Sequence, residues 1–347
     1  MSGLPPPTLR LDLDAEALAS NWRALDRLSG AARAGAAVKA DGYGLGAGKV
    51  VPILAKAGAR DFFVAHWSEV PDIIAHVPAG QVSVLHGPLS DEDCAFAQAS
   101  GVRPVLNSLG QVARWQASGG GSCDLMVDTG INRLGLPLSA LGDPVLADLK
   151  VETLLSHLAS ADEDTDQNDL QLARFREACN RVPARRQSLA NSAGIALGPR
   201  FAFDVTRPGL ALYGGVPRPE MAGDIRQVAH LRAAVLQVRD VEAGEGIGYN
   251  ASFVAPAPMR VAVASLGYAD GFLRCWGEGA GSLHHDGAEV PLLGKVSMDM
   301  VVVDARQCPG LREGDWLDVP YALPEASALT GLTQYELLTV LGRRFRR

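Results

Sequence analysis

The chain has 347 residues, of which 47% are hydrophobic and 20% charged, a composition typical of a folded protein with one large or two smaller domains. Its 32 basic and 39 acidic residues give a net charge of −7, which does not favour a nucleic-acid partner, and no apolar stretch is long enough to span a bilayer. The five cysteines form no C-x-x-C pair and residues 1–13 lack a secretory pattern, so we predict a cytoplasmic protein without a bound metal.

Short apolar runs recur along the first part of the chain and alternate with stretches of helical periodicity. The predicted strands are Ala34–Ala40, Asp61–Trp67, Gln81–Gly87, Arg103–Asn107, Cys123–Asp128, Val151–His157, Arg186–Asn191 and Phe203–Arg207. The predicted helices include Ala15–Leu28, Val50–Ala57, Leu109–Ala117 and Asp169–Asn180. This alternation predicts a TIM-type (β/α)8 barrel, and a doubly wound parallel sheet is the main alternative.

The pattern changes near residue 225, where strands begin to follow one another through turns rich in Gly and Pro. The predicted elements are strands Ala229–Val241, Met259–Leu266, Glu289–Leu293, Met300–Asp304 and Asp315–Val319, and a final helix Gln334–Leu341. We therefore predict that residues 1–225 form the barrel and residues 226–347 form a C-terminal all-β domain. The basic end, Arg343–Arg347, is expected to be a solvated tail.

One segment of the first predicted unit carries the clearest chemical signal. Lys39 lies at the end of an apolar strand, and a glycine-dense turn that contains Tyr43 follows immediately. A lysine at such a position is partly desolvated, which lowers its pKa and makes the amine available for Schiff-base formation. A lysine that extends its amine into solvent is the structural alternative. The glycines also fit a dinucleotide-binding spacing with Glu69 downstream, but that motif does not explain Lys39.

Other chemically active residues follow later predicted strands, at the carboxyl ends where barrels of this type place their active sites. Arg133 follows the fifth strand and His157 ends the sixth. Ser192 follows the seventh, Arg207 ends the eighth, and Gly209 comes just after it. A glycine permits close backbone approach and a serine adds a hydroxyl, so the last two segments suit a phosphate. Singly, His157 also fits a core histidine, Arg133 a surface ion pair, and Ser192 a plain turn.

In this order, the segments resemble the motifs of alanine racemases over nearly the whole chain. The resemblance extends to Gly246–Asn250, Leu266–Gly271 and Gly294–Asp299 in the second domain, which many other barrels that bind pyridoxal phosphate lack. It implies that the protein interconverts L-alanine and D-alanine with pyridoxal phosphate held on Lys39. It also implies that the product supplies peptidoglycan synthesis.

The resemblance implies two bases that act on opposite faces of the substrate: Lys39, and Tyr249 from a partner subunit. Because a free tyrosine has a pKa near ~10, Tyr249 needs a nearby cation, and the family places His157 and Arg207 in a hydrogen-bonded chain that leads to it. Arg207 also resembles the partner of the pyridine nitrogen. Because arginine does not readily give up a proton, the pyridine nitrogen should remain unprotonated, which weakens the electron sink of the cofactor. We hypothesise that this suppresses side reactions such as transamination. An Arg207→Glu protein with no gain of transaminase activity would contradict the hypothesis.

The remaining implied roles concern substrate and phosphate. Arg133 is expected to bind the substrate carboxylate together with the partner's Met298 backbone N–H, and Tyr268 to restrict the substrate side chain to a methyl group. Asp299, next to Met298, is included among the catalytic residues. The phosphate is expected to lie among Tyr43, Ser192, Gly209, Leu210 and Tyr335. Residues contributed by a partner predict a head-to-tail homodimer.

One departure from the family pattern leaves a question open. Many alanine racemases carry a carbamylated lysine seven residues before the position of Arg133, and its negative charge orients the arginine. This chain has Met126 there, so another group must orient Arg133. A second departure, Ser297 in place of a common cysteine, is expected to be mild because the implied contact is the backbone of Met298.

Three other functions stay open at this point. A racemase of broader specificity would lack the constriction that Tyr268 provides, and a basic amino-acid decarboxylase of the same architecture would carry a cysteine near Ser297. A non-catalytic protein that binds pyridoxal phosphate would lack the second domain and Tyr249. The adjacent His284 and His285 could suggest a metal, but we expect them to be exposed on a glycine-rich turn.

Overall fold

The computed structural model describes residues 5–277, 279 and 281–346. The chain divides into two compact units: one is Ala15–Arg226, and the other joins the residues up to Asp14 with those from Gln227 onward. The division corrects our assignment of residues 1–225 to the barrel in one respect. Strand β1 (Leu9–Leu13) pairs antiparallel with residues 229–233 of the second unit, so the N-terminal segment belongs there.

The strands of the Ala15–Arg226 unit are short and parallel. They are β2 (Arg33–Ala34), β3 (Ala36–Ala37), β4 (Phe62–Val64), β5 (Val82–Val84), β6 (Arg103–Leu106), β7 (Ser122–Asp128), β8 (Leu136–Pro137), β9 (Lys150–Leu155), β10 (Arg186–Ser188) and β11 (Val205–Thr206). Neighbours pair in the order β3-β4-β5-β6-β7-β9-β10, with β8 beside β7, while β11 pairs with β2.

Backbone hydrogen bonds close this row of strands into a ring. The N–H of Asp204 donates to the carbonyl of Gln187 at 3.0 Å, and the N–H of Arg207 donates to Ala190 at 2.8 Å, so β11 joins β10 as well as β2. An open doubly wound sheet has free edge strands and is therefore excluded. The (β/α)8 barrel is confirmed.

The helices of this unit lie between the strands. They are α1 (Ala15–Leu28), α2 (Lys39–Tyr43), α3 (Ala47–Ala57), α4 (Val70–Ile74), α5 (Asp91–Ser100), α6 (Leu109–Ala117), α7 (Asp166–Arg181) and α8 (Ser192–Ala196). Helices α1 and α6 have the predicted bounds, and α7 begins where the side chain of Thr165 accepts a hydrogen bond from the N–H of Gln167. The first predicted strand is too long: it ends at Ala37 because the residues after Lys39 leave the extended conformation.

The second unit is an antiparallel β structure. Its further strands are β12 (Ala229–Val241), β13 (Gly246–Ile247), β14 (Phe253–Val254), β15 (Met259–Ala264), β16 (Ser282–His285), β17 (Ala288–Leu293), β18 (Val301–Asp304) and β19 (Trp316–Val319), followed by α9 (Leu323–Thr330) and α10 (Gln334–Thr339). The order β12-β15-β18-β17-β16-β19 closes because β19 also pairs with β12. The predicted all-β second domain is confirmed.

Two expectations for this unit are wrong. His284 and His285 are half-buried on β16 rather than exposed on a turn. Separately, the described residues contain no group of three or more His, Cys, Asp or Glu side chains that could hold a metal ion. Within its described residues, 343–346, the basic end is not simply a solvated tail; Arg347 lies outside the described residues. Arg344 pairs with Asp299 at 2.8 Å and with Asp270 at 2.6 Å, and Phe345 is buried.

Among the helices described, none is long and apolar enough to cross a membrane.

Candidate active site

The segment after Lys39 has an unusual backbone. Lys39 is half-buried just beyond β3, at the carboxyl end of the barrel strands. The next residues have positive φ angles: Ala40 53°, Asp41 54°, Gly42 63° and Tyr43 54°. They form a turn of left-handed helix, which costs each residue other than glycine about 1–2 kcal/mol. Strain of this kind persists only where surrounding contacts fix the backbone, and it is concentrated at functional sites.

The contacts that fix this turn come from both of its ends. The carbonyl and the carboxylate of Asp41 accept the N–H groups of Gly46 and Ala47, at 2.9 and 2.7 Å. At the start of the turn, the carboxylate of Glu69 accepts the N–H of Ala40 and also that of Ala65, the latter at 2.7 Å. Glu69 therefore links the residue after Lys39 to the end of β4. The sequence had suggested Glu69 only as the acidic residue of a dinucleotide-binding motif.

The Lys39 amine has the electrostatic surroundings that Schiff-base chemistry requires. Burial lowers its pKa below the usual 10.5, and the nearby guanidinium groups of Arg133 and Arg207 lower it further, while the Glu69 carboxylate opposes the shift. A lower pKa increases the neutral fraction of the amine near neutral pH, and only the neutral amine is nucleophilic. The structure thus places Lys39, Arg133 and Arg207 at one site.

Arg207 is buried between the ends of β9 and β10. Its guanidinium donates hydrogen bonds to the Ser188 hydroxyl and to the carbonyl oxygens of Ser156 and Leu189, the last at 3.4 Å. It forms no ion pair with a carboxylate of the described residues. Burial lowers the pKa of Arg207 to about 10, so the side chain stays charged at neutral pH.

His157 follows β9 and is half-buried beside these cations. Burial, and then the charges of Arg207, Arg133 and Lys39, lower its pKa to about 3, which keeps the imidazole neutral at physiological pH. Its ring forms no hydrogen bond with a described residue. The family's hydrogen-bonded link between His157 and Arg207 is therefore absent here, because Arg207 directs its hydrogen bonds to Ser156, Ser188 and Leu189.

The expected phosphate residues of the barrel converge. The Ser192 hydroxyl oxygen accepts the N–H groups of Gly209 at 2.9 Å and Ala211 at 3.2 Å. A β-carbon on Gly209 would lie 2.1 Å from the phenolic oxygen of Tyr43, so any larger residue would have to displace Tyr43 or the backbone of residue 209. Leu210 is buried beside them. Hydroxyl and N–H groups around a backbone free of side chains fit a phosphate group.

Tyr43 is itself fixed by an aromatic neighbour that the sequence did not reveal. Its ring stacks on that of Tyr213, with centroids 4.7 Å apart, and the Tyr213 hydroxyl donates to the Ala37 carbonyl at 2.9 Å. Tyr213 is fully buried. The orientation of Tyr43 is thus linked to the last residue of β3.

Arg133 lies on the loop after β7 and is exposed. The Asp128 carboxylate orders the start of this loop by accepting the N–H groups of Gly130 at 2.8 Å, Ile131 at 3.1 Å and Asn132 at 3.2 Å. The Arg133 guanidinium forms no hydrogen bond or ion pair within the described part of the chain. Met126 is buried on β7 and offers no polar group to orient it.

The remaining expected site residues lie in the second unit. Tyr249 is 64% exposed, Met298 53% and Tyr335 45%. Hydrogen bonds of 3.0 Å from the N–H groups of Tyr268 and Ala269 to the carbonyls of Ser297 and Met298 hold Tyr268 beside Met298. The exposed Asp299 is paired with Arg344. The second unit therefore presents large apolar and aromatic side chains to its surroundings.

Two family models match the chain. That of the alanine racemase N-terminal domain matches residues 13–217, and that of the alanine racemase C-terminal domain matches residues 228–347. The chain is 42% identical over 353 residues to the alanine racemase of Methylobacterium nodulans, covering 97% of this chain and 95% of that protein. It is 39% identical over 364 residues to the biosynthetic alanine racemase of Agrobacterium fabrum, covering 98% and 93%.

Solved structures give the same result. The alanine racemase of Bartonella henselae with covalently bound pyridoxal phosphate superposes with a TM-score of 0.90 at 35% identity, covering 98% of this chain and 99% of that chain. The biosynthetic alanine racemase of Pseudomonas aeruginosa superposes with a TM-score of 0.87 at 30% identity, covering 98% of each chain. The similarity spans both units of the chain.

Proposed function

The chain belongs to the alanine racemase family, and we propose how its own residues carry out the reaction. The protein is an isomerase that interconverts L-alanine and D-alanine with pyridoxal phosphate as cofactor. Membership over almost the whole length of the chain, including the second domain, is the basis for this activity. The roles of individual residues below are our proposal.

The observation that carries the proposal is the environment of the Lys39 amine. Its amine has a lowered pKa, it lies at the carboxyl end of β3, and a strained turn held by Glu69 and Asp41 fixes the backbone beside it. An amine in this state can bind the cofactor aldehyde covalently. The cofactor phosphate would lie between Tyr43, Ser192 and the backbone of Gly209, with Leu210 alongside, and Tyr335 would complete its surroundings.

Pyridoxal phosphate supplies an electron sink that makes the α-proton of alanine acidic. Lys39, once substrate has displaced it, would remove or return this proton on one face of the substrate, and Tyr249 would act on the other. Arg133 would hold the substrate carboxylate together with the backbone N–H of Met298. Arg207, charged and fixed by its hydrogen bonds to Ser156 and Ser188, would donate to the pyridine nitrogen.

The His157 imidazole is neutral at physiological pH because its pKa is lowered to about 3. A neutral imidazole can accept or donate a hydrogen bond, so it could join the path that moves a proton to and from Tyr249. It would need to reorient or use a water molecule, since its ring forms no hydrogen bond with a described residue. Asp299 would act indirectly, by holding the loop that carries Met298 through its ion pair with Arg344.

We also propose a head-to-tail homodimer in which Tyr249, Tyr268, Met298 and Asp299 of each chain serve the barrel of the other. The support is that Tyr249 and Met298 are more than half exposed in a single chain, although both are large and apolar or aromatic. Exposed side chains of this kind mark surfaces that other molecules cover. In this arrangement Tyr268 would restrict the substrate side chain to a methyl group, which favours alanine over bulkier amino acids.

A cytoplasmic location and a role in supplying D-alanine to peptidoglycan are further parts of the proposal. All five cysteines are free thiols in the structure, which is consistent with a reducing compartment. The decarboxylase alternative lacks its cysteine, since Ser297 stands at that place.

The activity is tested by incubating the purified protein with L-alanine and pyridoxal phosphate and measuring D-alanine by chiral chromatography. We expect D-alanine from the wild type and none from Lys39→Ala. The matched control is Lys49→Ala, which changes an exposed lysine of α3. A wild-type protein that binds the cofactor but forms no D-alanine would contradict the assigned reaction.

The contribution of the partner is tested by mixing two inactive variants. If Tyr249 acts on the barrel of the other chain, unfolding and refolding Lys39→Ala together with Tyr249→Phe creates dimers with one intact site. Random pairing should then restore about a quarter of the wild-type specific activity. If both residues served the same chain, every site would carry one substitution and no activity would return.

A further inference from the structure

A fully buried glutamine connects the two loops that carry Arg133 and His157. Gln171 lies on α7, and its amide nitrogen donates to the Thr129 hydroxyl at 3.1 Å and to the His157 carbonyl at 3.0 Å. Its amide oxygen accepts the N–H of Ala159 at 2.8 Å. Both donors and the acceptor of this side chain are thus used, on the segments that follow β7 and β9.

Gln171 is the centre of a polar row on α7. Gln167, one turn earlier, donates to the Gly130 carbonyl at 3.2 Å, and Arg174, one turn later, donates to the Thr129 carbonyl at 3.1 Å. Residues at this spacing share one face of a helix. A β-carbon on Gly130 would lie 3.0 Å from the side-chain nitrogens of both Gln167 and Arg174, so α7 packs directly on this backbone.

The same contacts reach the buried cation of the site. The Thr129 hydroxyl shares a hydrogen bond of 2.8 Å with that of Ser156, and the Ser156 carbonyl accepts from Arg207. Thr129, Ser156 and Gln171 are all buried. Hydrogen bonds within a buried, satisfied network fix a single arrangement, because a broken one leaves an unpaired polar group.

We propose that Gln171 is a positioning residue of the active site, which sets the Arg133 loop relative to the end of β9. Arg133 itself has no partner among the described residues, and Met126 offers it none, so its position depends on the loop that carries it. The Asp128 carboxylate orders that loop internally, whereas Gln171 fixes where the loop lies against His157. The inference rests on the proposed function only for the substrate-binding role of Arg133.

The test compares Gln171→Leu with Leu172→Ala. Gln171→Leu removes the side-chain hydrogen bonds of residue 171 with little change in side-chain volume. Leu172→Ala truncates a neighbouring buried side chain of α7 that forms no hydrogen bond with either loop. Amide hydrogen exchange is measured by mass spectrometry on the purified holoenzyme. We expect Gln171→Leu to accelerate exchange in residues 129–135 and 157–161 by about tenfold, and Leu172→Ala to leave these segments near the wild-type rate.

Kinetics provide a second readout. If the loop positions Arg133 for substrate carboxylate binding, Gln171→Leu should raise the KM for alanine by about tenfold and lower kcat by less than about threefold. A role in stability alone would lower the melting temperature in both variants without this separation of KM from kcat. Thr129→Val, which removes only the hydroxyl, should give a smaller increase of the same kind and serves as the second variant if Gln171→Leu does not fold.

The two results separate the inference from the proposed function. A wild-type protein without racemase activity would refute the function, while the exchange experiment would still decide the role of Gln171. Unchanged exchange in residues 129–135 together with an unchanged KM would overturn the inference. Non-additive effects of Gln171→Leu and Thr129→Val in the double variant would support it, because residues of one network do not contribute independently.

Discussion

The phenolic oxygen of Tyr43 lies directly against the backbone of Gly209, where a β-carbon would come within 2.1 Å of it. The two residues follow the first and the last strands of the barrel, which are neighbours in the closed ring. Ser192 reaches the same place by accepting the Gly209 N–H at 2.9 Å. Three separate segments of the chain thus meet around one backbone group.

This contact predicts that Gly209→Ala weakens cofactor binding. The added methyl group must displace Tyr43 or the backbone of residue 209, and either movement disturbs the proposed phosphate position. We expect the dissociation constant of pyridoxal phosphate for the cofactor-free protein to increase by about tenfold or more, measured by absorbance titration. Gly223→Ala is the control, because a β-carbon there meets no atom within 4 Å. Equal affinities of the two variants would refute the prediction.

Arg133→Leu should raise the pKa of Lys39. Burial is the largest cause of the lowered pKa, and the positive charge of Arg133 is the second largest. Removal of this charge therefore stabilises the charged form of the Lys39 amine. In the cofactor-free protein, the pH midpoint for modification of Lys39 by an amine reagent should move upward, and modification at a fixed neutral pH should be slower. Arg200→Leu is the control, since Arg200 pairs with Asp169 and does not contribute to the Lys39 pKa. A midpoint that moved downward would contradict the assigned electrostatics.

Glu69→Gln should shift the same midpoint in the opposite direction. The Glu69 carboxylate raises the pKa of Lys39, so a neutral amide should allow that pKa to fall further. Glutamine also retains only one acceptor oxygen for the backbone N–H groups of Ala40, Ala65 and His66, so the left-handed turn should lose part of its support. We expect a lower midpoint of amine modification together with a lower melting temperature. A stable variant with an unchanged midpoint would show that Glu69 has neither role.

His157 should make the folded protein sensitive to acid. Its pKa is about 3 in the folded chain against the usual 6.5, so between these values the unfolded chain binds a proton that the folded chain does not. The free energy of unfolding contributed by this group therefore falls as pH falls below 6.5. We expect the free energy of unfolding, measured with urea, to fall between pH 7.5 and pH 5.0 by about 1–2 kcal/mol more in the wild type than in His157→Asn. Parallel pH dependence of the two proteins would rule out this contribution.

Much of the fold follows from local sequence pattern. Helices α1 and α6 have the bounds that their periodicity predicts, and each predicted barrel strand overlaps an observed one. Strand ends were less predictable. The run Ala34–Ala40 is apolar up to Val38, and nothing in it shows that Ala40 and Asp41 adopt positive φ angles of 53° and 54°. Their conformation depends on Glu69 and Ala47, which belong to other segments.

The same distinction holds for the site. Six site residues could be identified because each lies at or after the carboxyl end of a predicted strand, and parallel strands of a barrel end on one face. They are Lys39, Arg133, His157, Ser192, Arg207 and Gly209. The partners that fix them could not. Gln171, Tyr213 and Ser188 are ordinary residues in sequence, and they matter only because folding buries their polar groups within reach of the site.

The sequence by itself determined the alternation of strands and helices, the change to β structure near residue 225, and which residue types end the strands, because these depend on neighbours along the chain. Only the tertiary structure decided that β1 joins the second unit, that a left-handed turn follows Lys39, and that Arg207 is held by Ser188 and two carbonyl groups rather than linked to His157. These outcomes depend on hydrogen bonds and charges between residues distant in sequence. Their energies are set by burial, which no local pattern specifies.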